Sequence, residues 1–317
     1  MLNDIFLIKT NENKIKHTKT CRFFPHLMPL LILVLWGMPP LHAQLRKVLL
    51  PPMLKEVSGL YHAGPDSLWW LNDGGDLPQL ILTDGQGQIK KALPLPAIQN
   101  RDWEDLSADN KGNFYIGDFG NNLNQRRDLR IYIFHAANGS LDSILFTLPD
   151  QFAFPPSPSD WNFDMEAFFW NADSLHLFSK NRLVTGNYFT KHYVMPARPG
   201  TNTAILRDSL RLPRRVVTAA AISPDGQEVG LLSYFFRFQL GFLPKTRTTL
   251  WLLRDFPAGY FLQGRLVRQR IPKCPVPTQY ESLDFIDGYH VLIASERTPL
   301  YRQQMRKVRL KGRGPGV

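Results

Sequence analysis

Carboxylate residues recur along the chain within similar short sequences. Four of them each precede small or apolar residues at the start of an apolar segment: Glu56, Glu104, Glu166 and Glu281. One further copy, Ala220-Ala221-Ile222, has no carboxylate. The steps between the five copies, in chain order, are 48, 62, 54 and 61 residues. Carboxylates brought together in space would suit a hard cation such as Ca²⁺, which takes 6–8 oxygen ligands.

A second set of polar residues follows these positions at a nearly constant distance. The separation is 14 residues from Glu104 to Asp118 and from Glu166 to Lys180, and 15 residues from Glu281 to Glu296. The predicted ligand-binding residues of this set are Asp73, Asp118, Lys180, Asn181, Arg182, Tyr234, Glu296 and Arg297. Its basic members could hold an anionic group of a ligand.

Repeats of this length, each with several strands, are typical of β-propeller blades. Short apolar segments alternate with turn signals such as Asp84-Gly85 and Asp287-Gly288, and no long helical pattern follows residue 43. The first repeat divides into four predicted strands: Ser58–His62, Leu68–Asn72, Gln79–Thr83 and Ile89–Leu95. The sequence therefore predicts an all-β propeller of four-stranded blades, with five blades favoured and six as the alternative.

The ends of the chain predict how the ring closes. Only 36 residues follow Glu281, about one strand fewer than a full repeat, whereas Leu45–Leu50 precedes the first repeat as a spare strand. Pairing this strand with the last blade would cover an otherwise exposed sheet edge. A solenoid or a sandwich would not explain the spare strand.

Propeller geometry turns the two polar sets into a predicted site. The innermost strand of a blade comes first and the second strand runs antiparallel to it, so the start of one and the end of the other lie on the same face. We therefore expect Glu56, Glu104, Glu166 and Glu281 to face one mouth of the central channel, beside the second set. The alternative is a structural role, since a Glu at a strand start can also satisfy buried backbone N–H groups.

Several of these segments resemble a known group of proteins. They are Glu56-Val57-Ser58-Gly59-Leu60, Asp102-Trp103-Glu104-Asp105-Leu106, Gly117-Asp118-Phe119-Gly120-Asn121-Asn122, Ser223-Pro224-Asp225-Gly226 and Gln279-Tyr280-Glu281-Ser282-Leu283. They are similar to uncharacterised secreted bacterial β-propellers, of the SdiA-regulated and, more loosely, the phytase-like esterase kind. The resemblance implies a propeller over most of residues 54–310 and leaves the function undefined. The chain departs from the family at Asn72-Asp73-Gly74-Gly75, where Asn-Asp-Ser-Gly is common, and at Ala220 and Ala221.

The N-terminal segment has the pattern of a secretory signal peptide. Basic residues precede a short apolar stretch, Leu27 to Met38, and a small residue, Ala43, stands at the expected cleavage position. The stretch is too short to span a bilayer, which takes about 20 residues. We predict a signal peptide over 1–43, a single propeller domain over 44–317, no transmembrane segment after signal removal, and a secreted or periplasmic location. Only Cys274 would remain, which excludes an intramolecular disulfide.

Two classes of function fit these features. The first is a binding protein for a small molecule, peptide or glycan at the channel mouth; the second is a Ca²⁺-assisted phosphoester or carboxyl-ester hydrolase at the same place. The formal charge is +11, but no nucleic-acid-binding motif accompanies it, and we expect no nucleic-acid partner. The eight histidines show no zinc-ligand spacing, and no Gly-x-Ser-x-Gly or Walker motif is present. We expect a monomer, with calcium as the one cofactor to test.

Overall fold

The computed structural model describes residues 47–181, 186–239, 243–271 and 278–312. The predicted signal peptide lies outside these residues, and so does Arg182. The signal peptide and the role of Arg182 in ligand binding therefore stay predictions. Among the described residues, no helix is long and apolar enough to cross a membrane.

The described part of the chain consists of short strands and three single-turn 3-10 helices, Pro52–Leu54, Pro158–Asp160 and Phe261–Gln263. Blade 1 contains β2 (Val57–Gly64), β3 (Ser67–Asn72), β4 (Gln79–Thr83) and β5 (Ile89–Pro94). Blade 2 contains β6 (Trp103–Ala108), β7 (Asn113–Asp118), β8 (Arg130–His135) and β9 (Ser140–Thr147). Blade 3 contains β10 (Asp164–Asn171), β11 (Ser174–Lys180), β12 (Phe189–Pro196) and β14 (Ile205–Arg211). Blade 4 contains β15 (Val216–Ile222), β16 (Glu228–Gln239), β17 (Leu243–Arg254) and β18 (Arg265–Arg270). Blade 5 contains β19 (Tyr280–Asp287), β20 (His290–Ser295) and β21 (Gln304–Arg309), joined by β1 (Lys47–Leu49) from the start of the chain.

The blades form a closed ring of five, which confirms the predicted fold and excludes six blades. The four strands of each blade pair antiparallel in chain order, except that β1 supplies the outer strand of blade 5. The first strands β2, β6, β10, β15 and β19 pack against one another in sequence, and β19 returns to β2. One extra strand, β13 (Gly200–Thr203), adds in parallel to the outer edge of blade 2.

The N-terminal strand closes the ring as predicted. β1 pairs antiparallel with β21, with Lys47 opposite Arg306 and Leu49 opposite Gln304. This pairing supplies the fourth strand of blade 5 and covers the β21 edge, so the first and last segments of the described chain belong to one sheet.

The core lies between neighbouring blades. Alternate side chains of each strand point to opposite faces of the sheet, and both faces of a blade are covered by its neighbours. Five apolar clusters result, and the largest fully buried side chains include Trp70, Trp103 and Tyr193. Because each blade packs on both sides, most residues of the inner strands are buried, including polar ones such as Asp105.

All five inner strands carry a register irregularity at the same place, close to their start. A β-bulge inserts an unpaired residue and redirects its side chain, and such bulges are common next to functional sites. The residues at these bulges are Ser58 with Gly59, Glu104, Glu166, Thr218 and Glu281. The bulges therefore place three of the repeated glutamates at equivalent positions.

Blades 1 and 2 approach so closely at the bulge of β2 that a side chain there would clash. A Cβ atom on Gly59 would lie 2.7 Å from the Leu106 backbone nitrogen and 2.8 Å from Leu71 Cγ. We expect Gly59→Ala to lower the free energy of unfolding by about 1–3 kcal/mol through overpacking. Urea denaturation checks this, with Lys111→Ala at an exposed turn residue as a comparison. A Gly59→Ala variant as stable as the parent would show that the blades can separate at low cost.

Candidate functional site

Glutamates occupy the bulge position in blades 2, 3 and 5. In blade 4 the Thr218 hydroxyl donates a 2.9 Å hydrogen bond to the Tyr280 carbonyl, and in blade 1 the Ser58 hydroxyl donates to the Glu104 carbonyl. The hydroxyls therefore join neighbouring blades, whereas the three glutamates are buried near the starts of the inner strands, at the end of the ring that we call the mouth. The repeats in the sequence were aligned with Glu56 and Ala220 at the position of the glutamates. The bulges of blades 1 and 4 instead begin at Ser58 and lie at Thr218, so both predicted positions are wrong by two residues.

A second ring of residues lies at the end of the second strands, next to the bulges. In each blade the residue before the bulge pairs with the second strand, as Trp103 does with Asp118 and Met165 with Ser179. The next residue along the second strand is then equivalent from blade to blade: Asp73, Phe119, Lys180, Tyr234 and Glu296. Four of these five are polar, and all four were predicted site residues.

Lys180 is the central cation of the described site. Its Nζ lies 2.7 Å from Glu166 Oε1, and both side chains are largely buried, 17% and 4% exposed. Burial alone would lower the pKa of Lys180, but the surrounding carboxylates, Glu166 first, hold it well above its ordinary value. Burial raises the pKa of Glu166 well above its ordinary value, and Lys180 opposes that rise.

Three carboxyl groups from blades 1 and 2 form the tightest acidic group. Asp73, Asp102 and Glu104 each present an oxygen, and these atoms lie within 4.8 Å of one another. Burial, with the charges of Glu166 and Asp73, raises the pKa of Glu104 well above its ordinary value, and burial raises the pKa of Asp73 to about 7. The group therefore resists holding three negative charges without a compensating cation.

Glycines let the backbone approach this acidic group closely. A Cβ on Gly74 would lie 2.6 Å from Asp102 Oδ1, and a Cβ on Gly120 would meet the carboxylates of Glu104 and Asp102. Any side chain at either position would displace the carboxyl oxygens from their present arrangement.

Glu281 and Glu296 form a second carboxyl pair across the mouth. Burial, together with the charge of Glu296 and a hydrogen bond between the two carboxyl groups, raises the pKa of Glu281 well above its ordinary value. Gln279 Nε2 also donates to Glu296 Oε1 at 3.4 Å. Burial and the neighbouring carboxyl group therefore both favour the protonated form of Glu281.

Burial raises the pKa of Tyr234 to about 12. The charge of Lys180 opposes this rise, and the charges of the nearby glutamates add to it. The Tyr234 phenol therefore stays protonated and can donate a hydrogen bond at the mouth.

Asn181 is buried, with both amide atoms lacking a hydrogen-bond partner among the described residues. It directly follows Lys180, and its position after the second strand corresponds to Gly74 and Gly120 in blades 1 and 2. Buried amides are nearly always paired, so this side chain favours an additional polar partner there.

Of the remaining predicted residues, Asp118 adjoins the acidic group, whereas Glu56 and Arg297 are exposed. Asp118 forms a 3.1 Å ion pair with the buried Arg126, and it accepts a hydrogen bond from the Asp102 backbone N–H. The Glu56 side chain is 48% exposed, 3.9 Å from Lys55 Nζ, because it lies two residues before the bulge. Arg297 is exposed, and its backbone N–H donates to the Lys55 carbonyl.

Sequence reasoning missed Asp102 and Asp164. Each lies two residues before a bulge glutamate, in Asp102-Trp103-Glu104 and Asp164-Met165-Glu166, and the charge of Asp164 contributes to raising the pKa of Asp102, Glu104 and Glu166. The repeated Asp-x-Glu spacing was therefore a usable signal in the sequence.

Comparison with known proteins gives only distant likenesses. No family model matches the chain, and no curated protein does. Similar solved structures include hydrazine synthase of Kuenenia stuttgartiensis (12% identity, 72% of this chain and 58% of that chain, TM-score 0.41). Virginiamycin B lyase from Staphylococcus aureus shares 9% identity over 85% of this chain and 89% of its own (TM-score 0.40). The mannose phosphorylase MPT-4 from Leishmania mexicana shares 12% over 83% of this chain and 87% of its own (TM-score 0.46). Likenesses this distant assign neither family nor activity, so the propeller assignment rests on the sheet topology itself.

Proposed function

We propose that the channel mouth binds a small polar ligand together with a divalent cation, Ca²⁺ being the first candidate. The observation that supports this most directly is the convergence of Asp73, Asp102 and Glu104 within 4.8 Å. Hard cations prefer carboxylate oxygens, and the proposed ion would supply the positive charge that this group needs. The ligand class that we propose is a small molecule, a peptide or a glycan. We also propose that the protein is secreted or periplasmic.

The residues present suit such an ion chemically. Three carboxyl oxygens provide fewer than the 6–8 ligands that Ca²⁺ takes, which leaves coordination positions for water or for oxygens of the bound ligand. The basic groups close to these carboxyls are already engaged: Lys180 lies 2.7 Å from Glu166 Oε1, and Arg126 is paired with Asp118 at 3.1 Å. The ion would therefore hold one end of a ligand, while Asn181 and Tyr234 offer hydrogen bonds to the rest of it.

Hydrolysis of an ester or phosphoester at the same mouth is the second candidate. It is favoured by the Glu281–Glu296 pair, because burial and the neighbouring carboxyl group raise the pKa of Glu281, and a carboxylic acid with a raised pKa can act as a general acid. A cation held by Asp73, Asp102 and Glu104 would polarise the substrate oxygen. Turnover of generic phosphoester and carboxyl-ester substrates that depends on both Ca²⁺ and Glu281 would favour this candidate over binding alone.

The cation proposal predicts a Ca²⁺-dependent melting temperature. A ligand present at about 100 times its Kd stabilises the folded state by about 2.7 kcal/mol, which corresponds to a rise of roughly 5–10 °C for a domain of this size. We expect removal of Ca²⁺ by a chelator to lower the melting temperature by about this amount, and added Ca²⁺ to restore it.

Matched Glu-to-Gln variants make this test specific. Glu104→Gln should abolish the response to Ca²⁺, whereas Glu56→Gln, at an exposed carboxylate outside the group, should keep it. Calorimetric titration with Ca²⁺ should give one site for the parent and Glu56→Gln, and none for Glu104→Gln. An equal response to Ca²⁺ in all three proteins would contradict the proposal.

A further inference from the structure

Arginines collect on the face of blade 4 that is turned away from Tyr234. Arg247 and Trp251 point to this face of β17, because they alternate with Thr248 and Leu250 along the strand. On the neighbouring strand, Arg270 lies opposite Thr249 and Arg268 lies opposite Trp251, so all of them share one face. The Arg268 guanidinium lies 5.5 Å from the centre of the Trp251 ring.

Arg215 completes this group, which we call the arginine face: Arg215, Arg247, Arg268 and Arg270. It precedes β15 and is only 9% exposed. Its Nη1 donates a 2.7 Å hydrogen bond to the Arg247 carbonyl, and its guanidinium stacks 5.5 Å from the centre of the Phe235 ring. The buried guanidinium is thus held in a fixed orientation among three other arginines.

Acidic partners are missing from the arginine face within the described part of the chain, where none of its four arginines has a carboxylate within 4.0 Å. Apart from the N-terminal residues 1–46, the segments whose structure is not described contain no Asp or Glu: 182–185, 240–242, 272–277 and 313–317. Burial first, and then the charges of Arg268, Arg247 and Arg270, lower the pKa of Arg215 to about 10. The arginines therefore repel one another and lack a counter-charge from these segments.

A buried hydroxyl lies within the same face. Thr249 is 1% exposed, and its Oγ1 has no hydrogen-bond partner among the described residues. It lies between Arg247 and Trp251 on β17 and opposite Arg270 on β18. The neighbouring Ser233 hydroxyl, by contrast, accepts a 2.8 Å hydrogen bond from Trp251 Nε1. A buried hydroxyl without a partner costs free energy, so Thr249 independently favours a polar ligand at this place.

From these two observations we propose that the arginine face binds a tetrahedral oxyanion, the phosphate or sulfate group of a small ligand. Guanidinium groups pair with phosphate oxygens through two parallel hydrogen bonds, and several can share one tetrahedral anion. The Thr249 hydroxyl would donate to a further oxygen. The site is separate from the acidic mouth, because Tyr234 and Phe235 are consecutive residues of β16 and their side chains point to opposite faces of the blade.

Calorimetric titration with inorganic phosphate and with sulfate tests this, in buffer without divalent cations so that the acidic mouth plays no part. The exposed pair Arg268→Gln and Arg270→Gln is the first variant, and we expect the double substitution to weaken anion binding at least tenfold. Arg265→Gln is the matched control, because Arg265 lies on the same strand but is ion-paired with Asp255 at 2.8 Å. It should bind as the parent does.

Thr249→Val separates a ligand contact from a structural role. Valine keeps the shape and removes the unpaired hydroxyl, so the melting temperature without anion should stay the same or rise, while anion affinity falls several-fold. Phenyl phosphate, compared with inorganic phosphate, distinguishes a phosphate group on a larger ligand from the free anion: tighter binding indicates the former, equal binding the latter. No anion binding by the parent at millimolar concentration, equal losses in Arg265→Gln and the arginine pair, or unchanged affinity in Thr249→Val would each overturn the proposal.

Discussion

A chain that starts at residue 51, and therefore lacks β1, is expected to aggregate and to melt well below the chain that starts at residue 44. β1 forms the outer strand of blade 5, and its loss would leave the edge of β21 unpaired, a template for pairing with another chain. The same deletion removes Leu50, which is 1% exposed and contributes about 2 kcal/mol through burial. Size-exclusion chromatography and thermal denaturation measure both effects.

Point variants show whether closure itself is responsible. Leu50 is buried and its backbone N–H donates to the Gln303 carbonyl at 3.1 Å, whereas the adjacent Leu49 is 50% exposed. Leu50→Ser should therefore reproduce part of the loss of stability, and Leu49→Ser should cause almost none. A chain starting at residue 51 that stays monomeric and melts like the longer chain would refute the closure argument.

The fold was predictable because its determinants are local and repeated. Turn signals and alternating apolar segments located the four strands of the first blade almost residue by residue: the predicted Gln79–Thr83 is β4 without change, and Leu68–Asn72 differs from β3 by one residue. The spare strand before the first repeat predicted closure because an unpaired sheet edge is unfavourable in any propeller.

The site was only partly predictable, because the bulges change the residue count. Aligning the repeats on their apolar residues selected Glu56 in blade 1, but the bulge of β2 falls at Ser58 and Gly59. A period-two pattern does not reveal an inserted residue, yet one extra residue decides which side chain enters the channel. Asp102 was missed for a related reason, since it joins Asp73 and Glu104 from a position before the strand.

The most informative substitution at the mouth is Lys180→Met, which removes the one described lysine among the carboxyl groups. Breaking a buried ion pair from one side costs about 3–5 kcal/mol, because the remaining charge stays buried without a partner. We expect a loss near 3 kcal/mol, since Lys180 is 17% exposed and water reaches part of it. In chelator-treated protein this should lower the melting temperature by roughly 6–12 °C.

The pH dependence of this loss follows from the pKa of Glu166. Without Lys180, the cause that opposes the raised pKa disappears, so the pKa of Glu166 rises further. When folding raises the pKa of a carboxyl group, the folded state is favoured at low pH, where the group is protonated. This contribution to the free energy of unfolding is lost as the pH rises from the unfolded-state pKa through the folded-state pKa. The difference in melting temperature between Lys180→Met and the parent should therefore be small at acidic pH and grow toward alkaline pH.

A double-mutant cycle separates the ion pair from simple packing. Adding Glu166→Gln removes the orphaned charge, so Lys180→Met with Glu166→Gln should be more stable than Lys180→Met alone, with a coupling of up to about 3 kcal/mol. Lys191→Met is the matched control: its Nζ lies 2.6 Å from Asp150, but that carboxylate is 28% exposed and returns to water at little cost. If Lys180→Met loses no more stability than Lys191→Met, and Glu166→Gln restores none, the mouth tolerates its acidic residues without Lys180. The bound cation would then be the better account of how their charge is balanced.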